Sequence, residues 1–316
     1  MNIVTVTHRT AYRYASPVGL GEHRLMLRPR SSPDLTVIDA RLYVSPNARL
    51  ARRHDALGNI IDTASFEGRW QELLVVSRFT ARHTPRGVAE IKAAARMFGC
   101  TPLLPDEAGQ IMLASQRTCA DPSGAVAAWA GHAAATAQAG DHFDLMRAMA
   151  VLIHEDFTYT RRESEGTQAP EETLRLGTGS CRDFAYLLIE AARSLGFPAR
   201  FVSGYLYEPL ESGESGALTG GGSTHAWAEI HIPVAGWVDF DPTNNLAGGH
   251  SLLKTASVLK PSDALPLRGT FTGFRSDYLG MDVEVSATSE HPSRWQPQAL
   301  RDPSRPENPA CHAPGM

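Results

Sequence analysis

The sequence predicts an α+β protein: a small β-sandwich-like domain and a helical segment come first, then a buried helix followed by antiparallel strands. Three observations carry this prediction. Residues 1–85 alternate apolar and polar side chains in short runs broken by turn signals (SSPD, SPNA, DALGN), the period-two pattern of half-buried strands. Residues 88–156 are alanine-rich, with apolar positions recurring at three- and four-residue steps, the helical period. Beyond them CRDFAYLLIEAARSL, ARFVSGYLY, THAWAEIHI and WVDFDPT read in turn as a helix and three strands.

The N-terminal strands are VTVTHRTAYRY, TVIDARLYV, NIIDTASFEG and ELLVVSRFTARH, and HRLMLRPR fits another whose arginines lie at the surface. No catalytic constellation is visible there. The helical segment contains VAEIKAAARMFG, LLPDEAGQIMLASQ, SGAVAAWAGHAAATAQ and HFDLMRAMAVLIHEDF, with Ser123 of DPSG suited to an N-cap. His132, His142 and His154 are isolated, as packing or surface histidines are. The helix CRDFAYLLIEAARSL is apolar on nearly all sides, which predicts burial, and Gly196 with Pro198 stops it. A Gly/Ser loop, ESGESGALTGGGS, leads to a hairpin turning at PVAG. Residues 284–316 are rich in Pro, Ser and charge and are expected to be a disordered tail, with Cys311 incidental in it. The expected divisions are therefore 1–85 (β-rich domain), 86–283 (helical segment plus catalytic core) and 284–316 (tail).

Composition narrows the function. A net charge of −4 and a pI of about 6.3 give no reason to expect nucleic acid or an anionic membrane surface as partner. No apolar run approaches the ~18 residues that span a bilayer. The opening MNIVTVTHRTAYRY lacks the apolar stretch of a secretory signal, which predicts a cytoplasmic protein. Cys100, Cys119, Cys181 and Cys311 show no CxxC spacing, so reduced thiols are expected, and neither a metal cluster nor a redox pair.

One of those thiols is placed for chemistry. Cys181 follows the turn GTGS and opens the buried helix. A helix N-terminus carries partial positive charge and unpaired N–H groups, which stabilise a thiolate, and the cysteine's own amide can receive an oxyanion. Arg182 adds positive charge. Small residues in GTGS let a substrate backbone approach. Asp183 is a carboxylate suited to the same helix end and is read as structural support. A nucleophile needs a base. In THAWAEIHI, His225, Trp227, Glu229 and His231 share one strand face, and Ala226, Ala228, Ile230 and Ile232 form the apolar face that meets the core. His225 thus begins its strand beside the glycine-rich loop. If the hairpin turns at 233–235, residue 232 pairs with 236 and Asp239 lies opposite Glu229. Asp241 then becomes a diagonal neighbour of His225, within side-chain reach. Asp241 is the expected orienting acid, Asp239 the alternative, and Asn244 or Asn245 further groups able to orient an imidazole. Trp227 and Trp237 share the faces of His225 and Asp241, either walling a cleft or packing in the core.

At these residues the sequence resembles the transglutaminase-like superfamily in its bacterial branch. GTGSCRDFAYLLIEAARSLGFPARFVSGYL, THAWAEIHI and GWVDFDPTNN are similar to that family's three core motifs in order and spacing, and THRTAYRY with HRLMLRPR to the opening of the bacterial group. The resemblance covers about residues 1–245 plus PLRGTFTG at 266–273. It implies a papain-like α+β core with Cys181 as nucleophile, His225 as base and Asp241 as orienting acid. It also implies thiol chemistry on the amides of a protein or peptide substrate (transamidation, deamidation or peptide hydrolysis) through a thioester, with no cofactor. Tyr159 in DFTYT is a candidate for supporting the oxyanion. The sequence departs from the pattern in one place: KTASVLKPSDALPLRG holds no Gly-Arg-Asp-Tyr run. The alternative is a peptide-binding module that keeps the fold without the chemistry.

Overall fold

The computed structural model describes residues 1–96, 110, 113–137, 139–162, 166–209 and 218–293. The N-terminal strands are β1 (Asn2–Leu20), β2 (His23–Leu25), β3 (Leu35–Ser45), β4 (Arg49–His54), β5 (Ile60–Ser65) and β6 (Arg69–His83). β1 pairs with β6, which pairs with β3. β4, β5 and β2 form a second sheet. The two sheets close on Tyr14, Val18, Leu25, Leu27, Leu73 and Val75, giving the expected sandwich. β4 was not legible in the sequence because all of its side chains are exposed and polar or small apart from Leu50.

The helices are α1 (Val88–Arg96), α2 (Ala125–Thr136), α3 (His142–Asp156), α4 (Pro170–Leu176) and α5 (Cys181–Ser194). Two short strands, β7 (Thr158–Tyr159) and β8 (Thr178–Gly179), pair in parallel just before α5. The main sheet of this half is ordered β12 (Leu246–Ala247), β11 (Gly236–Asp241), β10 (His225–Ile232), β9 (Ala199–Leu206) and β13 (Leu252–Val258). Its apolar face, including Ala226, Ala228, Ile230 and Ile232, shares one core with Phe184, Leu188 and Phe143, so the expected strand parity holds. Towards the end of β9 the sheet meets the sandwich, where Tyr205, Tyr207 and Leu253 pack with Val4, Val6 and Phe79. Covered on both sides, β9 buries all eight of its residues, Arg200 and Ser203 included.

Two expectations are corrected. HRLMLRPR forms strand only over His23–Leu25, and Arg28 is buried rather than at the surface. Its guanidinium lies 2.8 Å from Asp62 Oδ2 and donates to the Ala40 carbonyl at 2.9 Å, which offsets the cost of burial. The expected boundaries near residue 283 also move. β14 (Leu267–Arg268), β15 (Phe271–Thr272) and β16 (Tyr278–Glu290) join the N-terminal sheets. β16 pairs with β1 from Tyr14↔Tyr278 to Ile3↔Glu290. Residues 267–283 therefore complete the sandwich instead of the catalytic core, and 284–290 are strand, not tail. Local pattern could not reveal this, because the partner of β16 lies at the other end of the chain. Residues 294–316, including Cys311, lie outside the described residues, as do Cys100 and most of LLPDEAGQIMLASQ. Among the described residues no helix is long and apolar enough to cross a membrane.

Candidate active site

α4 ends at Gly177, whose left-handed backbone (φ 62) turns the chain into β8. Cys181 then occupies the first turn of α5 and is 9% exposed. Asp183 builds this turn. One of its oxygens accepts the Ser180 amide and hydroxyl, each at 2.8 Å. The other accepts the Gln168 amide at 2.7 Å and an Arg162 N–H at 2.8 Å. Four donors satisfy a fully buried carboxylate, so Asp183 holds the turn that presents Cys181, as a structural support does. Arg182 donates to the Arg162 carbonyl at 3.1 Å. Gly179 is small for a packing reason: an added Cβ would sit 2.9 Å from Asp183 Cβ and 3.1 Å from the Phe184 ring.

The hairpin has the expected register, with Ile232 opposite Gly236 and Glu229 opposite Asp239. His225 is 1% exposed and Asp241 fully buried. His225 Nε2 and Asp241 Oδ2 are 2.8 Å apart. The same carboxylate oxygen accepts Asn244 Nδ2 at 2.8 Å, and Oδ1 accepts the Thr243 amide at 2.9 Å. Burial disfavours a charged imidazole, but the Asp241 charge and hydrogen bond, with a further contribution from Cys181, outweigh it and raise His225 to about 10. Burial likewise works against the Asp241 carboxylate, and His225, Asn244 and Thr243 together hold its pKa below the usual range. His225 Nδ1 is buried and makes no hydrogen bond. It is the nitrogen that Asp241 leaves free, and the nearby Cys181 thiol helps to raise the ring's pKa. The structure thus brings Cys181, His225 and Asp241 together.

The other candidates separate. Asp239 makes no bond to His225 and instead accepts the Trp227 indole N–H at 2.7 Å. Trp227 is fully buried, stacked near His225 with ring centroids 6.2 Å apart and packed with Val202, Leu206 and Leu252, so it supports the imidazole from the core and does not wall a cleft. Trp237 is two residues further from the site along the hairpin than Asp239, lying against His231 and under the Arg200 guanidinium. Tyr159 is half-buried, its ring edge-on to Phe184. Burial and the nearby Cys181 raise its pKa, keeping the hydroxyl protonated. His154 Nδ1 lies 3.0 Å from the Thr243 carbonyl, and His142 packs edge-on against Phe197; neither reaches the thiol. Asn245 takes a left-handed turn conformation (φ 52). Cys119 lies away from these residues, and burial and Glu190 push its thiol up to about 12.

Sequence reasoning did not find two features. One is the full use of Asn244, signalled only by its place just after the Asp-Pro-Thr turn. The other is a cavity of about 430 Å³ between the domains, lined among others by Arg200, Glu229, Asp239 and Lys254. It lies behind the sheet and contains none of Cys181, His225 and Asp241.

Comparison with known proteins identifies the family. The transglutaminase-like superfamily matches residues 130–242, a span holding all three of these residues, and the bacterial transglutaminase-like N-terminal region matches residues 4–82. The chain belongs to the transglutaminase-like superfamily. Among its relatives are uncharacterized proteins from Mycobacterium tuberculosis (28% identical over 294 residues, 89% of this chain and 91% of that one) and Mycobacterium leprae (26% over 285 residues, 89% and 97%). A shorter stretch of 96 residues is 32% identical to a protein-glutamine gamma-glutamyltransferase of Pseudomonas aeruginosa, covering 30% of this chain and 14% of that one. The fold matches a crystal structure described as a candidate cysteine protease from Cytophaga hutchinsonii, with TM-score 0.67, 16% identity, and 95% and 94% of the two chains covered. Membership places this transglutaminase-like protein in a superfamily of cysteine-based acyl-transfer and protease chemistry, on the α+β fold that its sequence predicts.

Proposed function

We propose that the protein transfers acyl groups from amide bonds of a protein or peptide substrate through a thioester on Cys181, with His225 and Asp241 completing a triad. The observation that carries this reading is the buried Nε2–Asp241 bond, which leaves Nδ1 of His225 for the helix-start thiol. His225 as imidazolium pairs with the Cys181 thiolate. Sγ attacks the amide carbonyl and forms the carbon–sulfur bond. The carbon–nitrogen bond then breaks as His225 gives its proton to the leaving amine. His225 next takes a proton from the acceptor, water or an amine, which attacks the thioester and releases Cys181. The Cys181 amide at the helix end and the Tyr159 hydroxyl are the proposed donors to the oxyanion. The short likeness to a glutamine gamma-glutamyltransferase favours glutamine side chains as the first donors to try.

The test is the alkylation rate of Cys181 against pH, by mass-mapped iodoacetamide labelling in the wild type and in His225→Ala. The wild type should react well below the ~8.5 of a free thiol, and His225→Ala should move that titration upward. A thiol that titrates as if free, indifferent to His225, would sink the proposal and leave a binding module. Product analysis with glutamine peptides, in the presence and absence of a primary amine, then assigns water or amine as acceptor.

A further inference from the structure

The side chain of Asn244 divides its hydrogen bonds between two parts of the site. Oδ1 accepts the Thr219 amide at 2.7 Å, while Nδ2 donates to the Thr219 carbonyl at 3.1 Å and to Asp241 Oδ2 at 2.8 Å. Only one orientation of the amide satisfies these partners, because the Thr219 N–H requires the oxygen and the carboxylate requires the N–H. Asn244 therefore clamps one peptide unit of the glycine turn and, with the same nitrogen, braces the oxygen that receives His225.

What the clamp holds is the next residue. Gly220 has φ +94, and a Cβ built on it would lie 2.8 Å from His225 Nδ1 and 3.5 Å from Cε1. The turn is closed by the Gly221 amide on the Leu218 carbonyl at 3.2 Å and the Ser223 hydroxyl on the Gly220 carbonyl at 3.1 Å. The Gly220 backbone thus lies beside the ring nitrogen that Asp241 leaves free, and any side chain there would press on that nitrogen. With Trp227 stacked near one face of the ring, the imidazole is confined from several sides.

We propose that Asn244 is a positioning residue. It locks the glycine turn and the Asp241 carboxylate to each other, so that Gly220 closes the Nδ1 side of His225 while leaving room for the leaving amine and the acceptor. This rests on the triad reading above. Fixing the imidazole in this way couples the loop to the protonation chemistry, and the loop backbone, not a side chain, borders the place where the proton is exchanged.

The experiment uses the full chain with Asn244→Ala, Asn244→Asp and Gly220→Ala, each checked for folding by thermal melting. Cys181 alkylation is followed against pH, and amide hydrogen exchange is followed at Thr219. Asn244→Ala should slow alkylation at neutral pH by about tenfold, the effect of losing one hydrogen bond to a charged group, and should speed Thr219 exchange. Asn244→Asp keeps an acceptor for the Thr219 amide but loses the donor to Asp241. Its Thr219 exchange should stay near wild type while the alkylation profile shifts, and this variant decides the matter if Asn244→Ala does not fold. Gly220→Ala should slow alkylation in a folded protein. An alkylation profile unchanged in the folded Asn244 variants, whatever their melting temperatures, would make Asn244 a structural residue and overturn the proposal. If His225→Ala still shifts the profile in that case, only this inference fails. If His225→Ala is silent too, the triad reading fails first.

Discussion

Replacing Asp241 by asparagine tests the site through its protonation. The carboxylate meets only donors: His225 Nε2 and Asn244 Nδ2 on one oxygen, the Thr243 amide on the other. An asparagine of the same shape offers one oxygen. If its NH2 group turns to His225, Nε2 must give up its proton, and Nδ1 then carries a proton where it should accept one from the thiol. If the NH2 group turns to Thr243, two N–H groups face each other in a fully buried position, and the negative charge is lost in either case. A hydrogen bond to a charged group contributes ~1.5–3 kcal/mol, equivalent to about 1–2 units of imidazole pKa. Burial then pushes the same way, toward a neutral ring. His225, raised to about 10 in the protein, should fall, and the thiolate should lose its partner. In folded Asp241→Asn the alkylation of Cys181 should titrate closer to the ~8.5 of a free thiol, and turnover should drop by about 10³–10⁴. A profile superimposable on that of the wild type would refute the reasoning, since the acid would then have no hold on the imidazole.

Other perturbations separate the remaining roles. Tyr159→Phe should lower turnover by about 10²–10³, the worth of an oxyanion donor, and leave the alkylation rate alone, because alkylation forms no oxyanion; equal losses in both would deny Tyr159 that role. Glu229→Gln should lower stability by about 3 kcal/mol, seen as a fall in the urea midpoint, because Arg200 and Lys254 both bind this buried carboxylate and would keep their charges without it; an unchanged midpoint would show that the two cations find other partners. The His225–Asp241 pair predicts its own pH window. A raised imidazole contributes stability that is complete below ~6.5 and disappears as pH rises through about 10, and a lowered carboxylate contributes above ~3.9 and loses it on acidification. The stability gap between wild type and His225→Ala, from urea melts over a pH series, should therefore shrink on the alkaline side; a gap constant through that range would contradict the pairing.

The sequence by itself determined the elements whose logic is local. The position of Cys181 at a helix start follows from a turn, a buried run and a Gly/Pro stop. Strand parity put His225 opposite the apolar face, and counting back from the PVAG turn chose Asp241 over Asp239. Each inference uses a period or a register, and these are set within a few residues of chain. Only the tertiary structure decided what packs on each face. Periodicity could mark Trp227 and His225 as sharing a face, but packing against Val202, Leu206 and Leu252 is what makes Trp227 a core support, with Asp239 holding its indole N–H. The burial of Arg28 depended on Asp62 arriving from another strand, and the membership of residues 278–290 in the first sheet depended on β1, some 280 positions away in sequence. The Asn244 clamp likewise joins residues 219, 241 and 244 across a loop and a turn. Local pattern tells a residue which side it faces; the partner waiting there is supplied by chain far away, and its identity belongs to the fold.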